Sequence, residues 1–554
     1  MRITSLGHAG FLIDTCAGSI VCDPWFVPAF HGSWFPFPRN DRLPDDLMQR
    51  LERPDYLYIS HQHADHLDVP WLSAHVDKAT PVLLPDYATR ELPDQLASLG
   101  FREFIPTRDG VPQRLPGGLE VEIHVATSMS DGPGGDSALI VDDGTARFLN
   151  QNDCHLRDVR VFLAGGPVDV HALQFSGAIW WPMVYDMDPE LIAGYAREKR
   201  EAQAERAVRY AQAIGARLVI PSAGPPAFLD EDLFGFNMIT GDESSIFPDQ
   251  ADFMSEYGER LPECTLMVPG SQLTADRARI TLYHVSDMSS PFLDKEDYLR
   301  EYQRDWAPWL AQLKASWPSE QSDILGALRE WWEPLLDGAP RLRDAIGGSC
   351  LIESGQDALL VDFAAGTVRR FAGEPYSYRF TIPRPLLETV VRQRDVDWSN
   401  SLLLSCRFRA WREGDYNEYL YAFLKSLSPE RIARAEHEAA NVVGSTVAAD
   451  FVEVGPYTVG RWCPHRQADL AEFGMAEGED VVCAMHGWRF DGRTGRCRTA
   501  RGRDLRVPPG MLAGDADRSG PPEPHLADGE WPLRGDREEF ADEVAVELRG
   551  VVGE

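Results

Sequence analysis

The opening third of the chain alternates short apolar runs with turn residues. Residues 2–14 and 19–24 read as a hairpin around Ala17-Gly18, and residues 55–60, with the run Tyr-Leu-Tyr-Ile, read as a buried strand. Residues 138–141 and 145–150 form another hairpin around Asp143-Gly144. From 196 to 214 the period becomes helical, with charged residues on one side and Ala, Val and Tyr on the other, and Gly215 stops it ahead of a strand at 218–220. Strands and helices interleaved in this way predict a layered α/β arrangement for residues 1–240. Residues 298–336 read as helical and carry Trp306, Trp309, Trp317, Trp331 and Trp332, taken as core aromatics. Strands return at 349–363 and helices at 383–396 and 416–427, so residues 241–445 read as an α+β region that completes a pocket. From Phe451 short strands and loops rich in Gly, Pro and Asp predict a small all-β unit, residues 446–554, with an acidic tail after Gly520-Pro521-Pro522-Glu523-Pro524.

Composition narrows the function. The 554 residues are 44% hydrophobic and 25% charged, which suits several domains with sizeable cores. With 54 basic against 87 acidic side chains, the formal net charge of −33 argues against nucleic acids and anionic membranes, which are bound by excess Lys and Arg. No apolar run reaches the ~18 residues that span a bilayer. The segment from Met1 to His8 lacks a signal-peptide pattern, so a cytoplasmic location is expected. Nine cysteines, a sparse and odd set, predict no disulfide framework.

Two clusters carry chemistry. The first, Ser60-His61-Gln62-His63-Ala64-Asp65-His66, leaves the buried strand with four ligand-type side chains: His61, His63, Asp65 and His66. Imidazole suits zinc, iron, copper or nickel, and a carboxylate widens the choice, so one or two metal ions are expected there. This H-x-H-x-D-H pattern resembles the metallo-β-lactamase superfamily, and the resemblance implies an αββα sandwich. It also implies supporting roles behind the ligands for Asp23, in Val21-Cys22-Asp23-Pro24-Trp25, and for His8, in Leu6-Gly7-His8-Ala9. Asp153, in Asn150-Gln151-Asn152-Asp153-Cys154, falls where the superfamily places its metal-bridging aspartate. A further ligand histidine has no counterpart. His124 lies in an alternating strand and reads as structural, and Asp131, in the turn from Asp131 to Asp136, is the better-placed substitute. No final histidine falls near Phe175-Ser176-Gly177 or Pro221-Ser222-Ala223, so a complete two-zinc hydrolase site is not expected.

The second cluster is Trp462-Cys463-Pro464-His465 followed by Cys483-Ala484-Met485-His486-Gly487-Trp488-Arg489-Phe490-Asp491. Two thiolates and two imidazoles on adjacent loops suit a Rieske [2Fe–2S] cluster, with Cys463 and Cys483 on one iron and His465 and His486 on the other; a structural zinc site is the competing reading. The order Cys-His, Cys-His, then Gly-Trp-x-Phe-Asp resembles Rieske proteins of the oxygenase and ferredoxin type.

The two clusters together resemble the CMP-N-acetylneuraminate hydroxylase-like monooxygenase family, in which a Rieske domain precedes a metallo-β-lactamase-like domain; here it follows. Asp23-Pro24-Trp25 with Pro28-Ala29-Phe30, Tyr58-Ile59-Ser60-His61, Leu149-Asn150 with Asp153-Cys154, Ser176-Gly177 with Pro182-Met183, and Ile220-Pro221-Ser222-Ala223-Gly224 extend the likeness. The resemblance implies a monooxygenase in which the [2Fe–2S] cluster passes electrons to one or two non-haem iron ions. O2 would be activated there and a small molecule hydroxylated or N-oxygenated. Electrons would come from NAD(P)H through a ferredoxin, cytochrome or flavin reductase. Arg407, Arg409 and Arg412 are candidates for holding a phosphate or carboxylate of the substrate, because guanidinium binds such groups bidentately. The alternative is a metal-dependent hydrolase with a redox-sensing Rieske domain. Arg461, Arg466, Arg489, Arg493, Arg496 and Arg498 crowd the second cluster and suggest a locally less acidic docking face.

Overall fold

Amphipathic strands pair from the first residues onward in the computed structural model, which describes residues 1–126, 134–156, 158–239, 244–285, 289–319, 322–442, 450–465, 468–485, 487–500 and 503–508. Arg2–Gly7, Gly10–Thr15 and Gly18–Cys22 form an antiparallel meander, extended in parallel by Tyr56–Tyr58, Val82–Leu84 and Phe104–Pro106. Gln272–Ala275 and Ile280–Tyr283 add to its other edge. A second sheet runs in the spatial order Leu218–Ser222, Val170–Gln174, Arg147–Asn152, Asp136–Asp142, Glu120–Ala126, Gln113–Arg114.

Alternation along these strands builds the layers. Ile3, Phe11, Ile13 and Ile20 of the first sheet meet Ile123, Leu139, Val141 and Phe148 of the second in one core. The opposite set, Leu12, Val21, Leu57 and Ile59, packs under the helices Asp45–Leu51, Val69–His75 and Glu91–Ser98. On the far side Ala138, Ile140, Leu149 and Val219 pack under the long helix Pro189–Ile214. This is the αββα metallo-β-lactamase sandwich. The long helix starts earlier than its amphipathic pattern suggested, because Asp188 caps it by accepting from the Glu190 N–H at 2.9 Å and Pro189 occupies its first position. It ends where expected, at Gly215 with φ 60°.

Two readings of the pattern change. The stretch 2–14 is not one strand: Gly7 at φ 95° and His8 at φ 52° break it into two and turn His8 toward the centre of the site. The helical stretch 298–336 is two helices, Lys295–Ser316 and Ile324–Asp337, because Pro318 confines Trp317 to extended backbone. Trp331 and Trp332 are buried beside Trp398, while Trp306 and Trp309 meet Phe35 edge-on.

The middle region holds a sheet in the order Thr367–Arg370, Asp357–Asp362, Ser349–Ser354, Tyr378–Thr381, Arg409–Arg412, covered by helices that include Arg384–Gln393 and Glu418–Leu424. Its core is continuous with Trp25, Phe30 and Trp34 of the sandwich. The C-terminal unit pairs Phe451–Val454 with Tyr457–Gly460, and Asp480–Cys483 with Gly474–Glu477 and Trp488–Asp491. No helix among the described residues is long and apolar enough to cross a membrane.

Candidate functional site

The strand Tyr56–Tyr58 delivers the histidine loop at the sheet's end, and buried hydrogen bonds hold its first residue. The Ser60 N–H and Oγ–H donate to the two oxygens of Asp23 at 2.7 and 2.6 Å. The Ser60 carbonyl accepts from Ser137 Oγ at 2.6 Å and from Tyr87. Asp23 also meets His66 Nδ1 at 3.0 Å, which points His66 Nε2 away from it, toward Asp153 Oδ1 at 3.7 Å.

Two groups of ligand atoms result, each with its members within 4.8 Å of one another: His61, His63 and Asp153, and His8, Asp65 and His66. His61 Nε2 and His63 Nδ1 are 2.8 Å apart, and His8 Nε2 lies 3.1 Å from Asp65 Oδ2. Asp65 Oδ1, His66 Nε2 and Asp153 Oδ1 are buried without a hydrogen-bond partner. Buried polar atoms are rarely left so, and His66 Nε2, with Asp153 Oδ1 at 3.7 Å and Asp65 Oδ2 at 4.0 Å, fits a cation. Burial pushes His61 well down and His63 down, which leaves both rings neutral as a metal requires. Burial also opposes charge on His66, but Asp153, Asp65 and Asp23 outweigh it and raise that group to about 10. Despite its own burial, Asp65 is held well below the usual carboxylate range by His66 and His8. A proton on His66 thus answers carboxylates that a metal would otherwise neutralise. His8, Asp23 and the strand-end residue Asn152, next to Asp153, have φ of 52°, 40° and 42°, the kind of backbone strain that collects at functional sites.

His8, expected behind the ligands, lies with Asp65 and His66 in one of the two candidate groups. His124 is elsewhere, bonded to Glu122 at 2.7 Å with its ring against Phe162. Asp131 lies outside the described residues. Asp136 was not singled out, yet its Oδ1 lies 4.0 Å from His61 Nε2. Its signal is its place as the first residue of a strand after Gly134-Gly135. A cavity of about 410 Å³ opens over His61 and His63, lined from the middle region by Asp395, Asp397, Asn400 and Arg431, and from the sandwich by His31 and Tyr87. His31 was also missed, since nothing in its spacing ties it to the histidine loop.

The three arginines expected to hold a substrate anion are not among the residues lining that cavity. Arg407 pairs with Asp230 and donates to the Gly32 carbonyl at 3.0 Å. Arg409 pairs with Asp186 at 2.8 Å, and Arg412 lies 4.2 Å from the Trp181 ring centroid.

At the C-terminal loops Cys463 and Cys483 are fully buried. The Cys483 carbonyl accepts from the Gly487 N–H at 2.7 Å and closes the second loop tightly. The His465 ring stacks on Trp488 with centroids 4.0 Å apart, and its Nε2 lies 4.0 Å from Glu418 of the middle region. His486 lies outside the described residues, as does Arg466. Paired thiols and an imidazole, two of them fully buried, fit an iron-sulfur cluster. Of the crowding arginines, Arg461, Arg489 and Arg498 pair with the domain's own Asp469, Glu477 and Asp480.

Three stretches of the chain match known domains. A β-lactamase superfamily domain matches residues 2–175, an Rv3818-like, SCP2-like domain residues 324–441, and a Rieske [2Fe-2S] domain residues 428–509. A Mycolicibacterium smegmatis protein named as a Rieske 2Fe-2S iron-sulfur protein is 42% identical over 91% of this chain and 99% of its own length. The chain belongs to that Rieske 2Fe-2S protein family. Mouse cytidine monophosphate-N-acetylneuraminic acid hydroxylase is 30% identical over 28% of this chain and 26% of its own length. The structure of CmlA, a diiron β-hydroxylase from Streptomyces venezuelae, superposes with a TM-score of 0.31 at 16% identity, over 51% of this chain and 54% of that one. The match of residues 324–441 to an SCP2-like domain was not legible in their pattern of strands and helices.

Proposed function

We propose that the chain is a Rieske-dependent non-haem iron oxygenase acting on a small molecule. Cys463, His465, Cys483 and His486 would hold the [2Fe–2S] cluster. His61, His63 and Asp153, with His8, Asp65 and His66 beside them, would hold one or two iron ions. When bound, the cluster supplies single electrons and the iron supplies O2 activation, for insertion of one oxygen atom into a C–H or N–H bond.

The chain's own residues orient and enclose. Asp23 and Ser60 fix the ring of His66 through its Nδ1. The substrate's reacting atom would sit over His61 and His63, facing a wall that the middle region's Asp395, Asp397 and Arg431 supply. The observation that carries the reading is one residue reaching both loops. Tyr210 donates to the Leu156 carbonyl, just after Asp153, at 3.1 Å, and its Oη lies 2.9 Å from Met485 Sδ, between Cys483 and His486. Cys154, Cys463 and Cys483 lie in one buried cluster. A redox-silent hydrolytic centre gains nothing from sharing a core with an electron donor, whereas an electron acceptor does. The partial likeness to a hydroxylase supports the same class. Electrons would reach the cluster from NAD(P)H through a ferredoxin, cytochrome or flavin reductase.

The test is metal analysis and single-turnover kinetics on the anaerobically reconstituted full chain. Iron in excess of the cluster's two atoms is expected, with O2 re-oxidising the dithionite-reduced cluster faster when the histidine loop holds iron than when it holds zinc. Cys463→Ser should abolish O2 uptake. A zinc-only centre, or ester hydrolysis that survives Cys463→Ser with no O2 uptake in the parent, would establish the hydrolase instead.

A further inference from the structure

The loop that carries His31 is built at a cost. Phe30, His31 and Gly32 take φ of 48°, 56° and 69°, three successive residues in the left-handed region. Non-glycine residues avoid that region unless their surroundings hold them there, and such strain gathers where a side chain must be presented in one way. The surroundings do hold it. The Ser33 N–H donates to the Ala29 and Phe30 carbonyls at 3.1 and 3.2 Å, and Arg407 donates to the Gly32 carbonyl at 3.0 Å. A Cβ on Gly32 would run into Leu313.

The residue so presented faces two cavities, the one of about 410 Å³ over the histidine loop and an adjoining one of about 310 Å³ beside Trp317. His31 Nε2 is buried without a hydrogen-bond partner. Burial, with Arg407 nearby, pushes its pKa down to about 4, so the ring is neutral. A neutral imidazole with an unsatisfied nitrogen on a cavity wall is built to meet a hydrogen-bonding group.

The charges on the cavity wall say which kind. Arg431 is committed: it binds Glu91 at 2.6 Å, Asp397 at 3.2 Å and the Lys425 carbonyl at 3.1 Å. Arg407, beside His31, is taken up by Asp230 and the Gly32 carbonyl, Arg392 on the adjoining cavity pairs with Glu388 at 3.3 Å, and Arg409 and Arg412 are engaged elsewhere. Asp395 accepts from Ser401 Oγ and from the Asp397 N–H, and among the described residues no Lys or Arg forms an ion pair with it. At the Asp395 wall, away from the metal over His61 and His63, a phosphate or carboxylate would meet this carboxylate with no spare guanidinium, while hydroxyl or ammonium donors would satisfy it.

We propose that the cavity takes a small polar molecule without negative charge, a polyol or an amine, and that His31 from the sandwich and Asp395 from the middle region are the side chains that position it. The proposal rests on the oxygenase reading of the same cavity. The test uses the full chain loaded with Co2+ and a library of small carbon skeletons, each supplied as polyol, amine, carboxylate and phosphate ester. Binding is read from the cobalt visible spectrum, which responds only to ligands near the metal, and from thermal shift. Hits are expected among polyols and amines. His31→Phe should weaken the best of them about tenfold, the size of one lost hydrogen bond. His31→Gln, which keeps hydrogen-bonding atoms, should restore most of it, and Asp395→Asn should weaken amines more than polyols, a selectivity change that a folding defect would not produce. Carboxylates or phosphates as the tightest ligands, no cobalt response to any class, or unchanged affinity and selectivity in both folded variants would overturn the proposal. Failure of cobalt to bind His61 and His63 at all would refute the metal-centre reading instead.

Discussion

Replacing Asp23 by alanine tests the construction of the metal centre most directly. The carboxylate is buried, accepts from the Ser60 N–H at 2.7 Å and Oγ–H at 2.6 Å, and meets His66 Nδ1 at 3.0 Å. Asp23→Ala leaves these groups unpaired in a dry site, which costs about 3–5 kcal/mol when a buried charged partner is removed. Alanine at φ 40° is strained by roughly 1 kcal/mol more. Because His66 loses the contact that aims its Nε2, cobalt affinity should also fall about 10–100-fold. Urea unfolding by far-UV circular dichroism and a cobalt titration read the two effects separately. Asp23→Asn, which tolerates the left-handed backbone and keeps one acceptor oxygen, should lose less in both. If Asp23→Ala binds cobalt as tightly as the parent and unfolds at the same urea concentration, Asp23 does not hold the histidine loop and the reasoning fails.

Three further outcomes follow from other contacts. The metal-free protein should lose stability as pH rises from about 6.5 to about 10, because His66 has its folded pKa raised across that interval and the folded state binds the extra proton there. Cobalt should flatten that dependence, and a urea midpoint independent of pH in the metal-free protein would contradict it. Gly32→Ala forces a Cβ into Leu313 and to 3.1 Å from the Trp309 ring at φ 69°, so a loss of about 1–3 kcal/mol in urea unfolding is expected. Glu388→Ala strips a buried carboxylate from Arg384 at 2.7 Å and from the Ser322 N–H and Oγ–H at 2.7 and 2.6 Å, and should cost about 3–5 kcal/mol by the same assay.

Much was legible in the chain because the decisive groups are local. His61, His63, Asp65 and His66 fall within seven residues of one loop, and Cys463-Pro464-His465 and Cys483-Ala484-Met485-His486 are two short motifs, so spacing alone was enough to single out each set. Short apolar runs likewise announced some strands of both sheets, among them Tyr56–Tyr58, Asp136–Asp142 and Arg147–Asn152, but not Val82–Leu84, Val170–Gln174 or Gln272–Ala275, and Gly215 announced a helix end. What the chain could not announce depends on distant segments meeting. His8 enters the ligand group only because the turn at Gly7 interrupts a strand, and Asp136 faces His61 only because its strand starts where it does. Arg407 and Arg409 were plausible anion holders until Asp230 and Asp186, far away in sequence, came to lie beside them, and Arg412 until the Trp181 ring lay against it. A guanidinium's role is set by the nearest carboxylate in space, and sequence separation carries no information about that distance. The kinds of chemistry were therefore written in the sequence. The tertiary structure alone decided which side chains join the candidate ligand groups, what faces the cavity beside them, and that Tyr210 reaches from the loop after Asp153 to the Rieske loop.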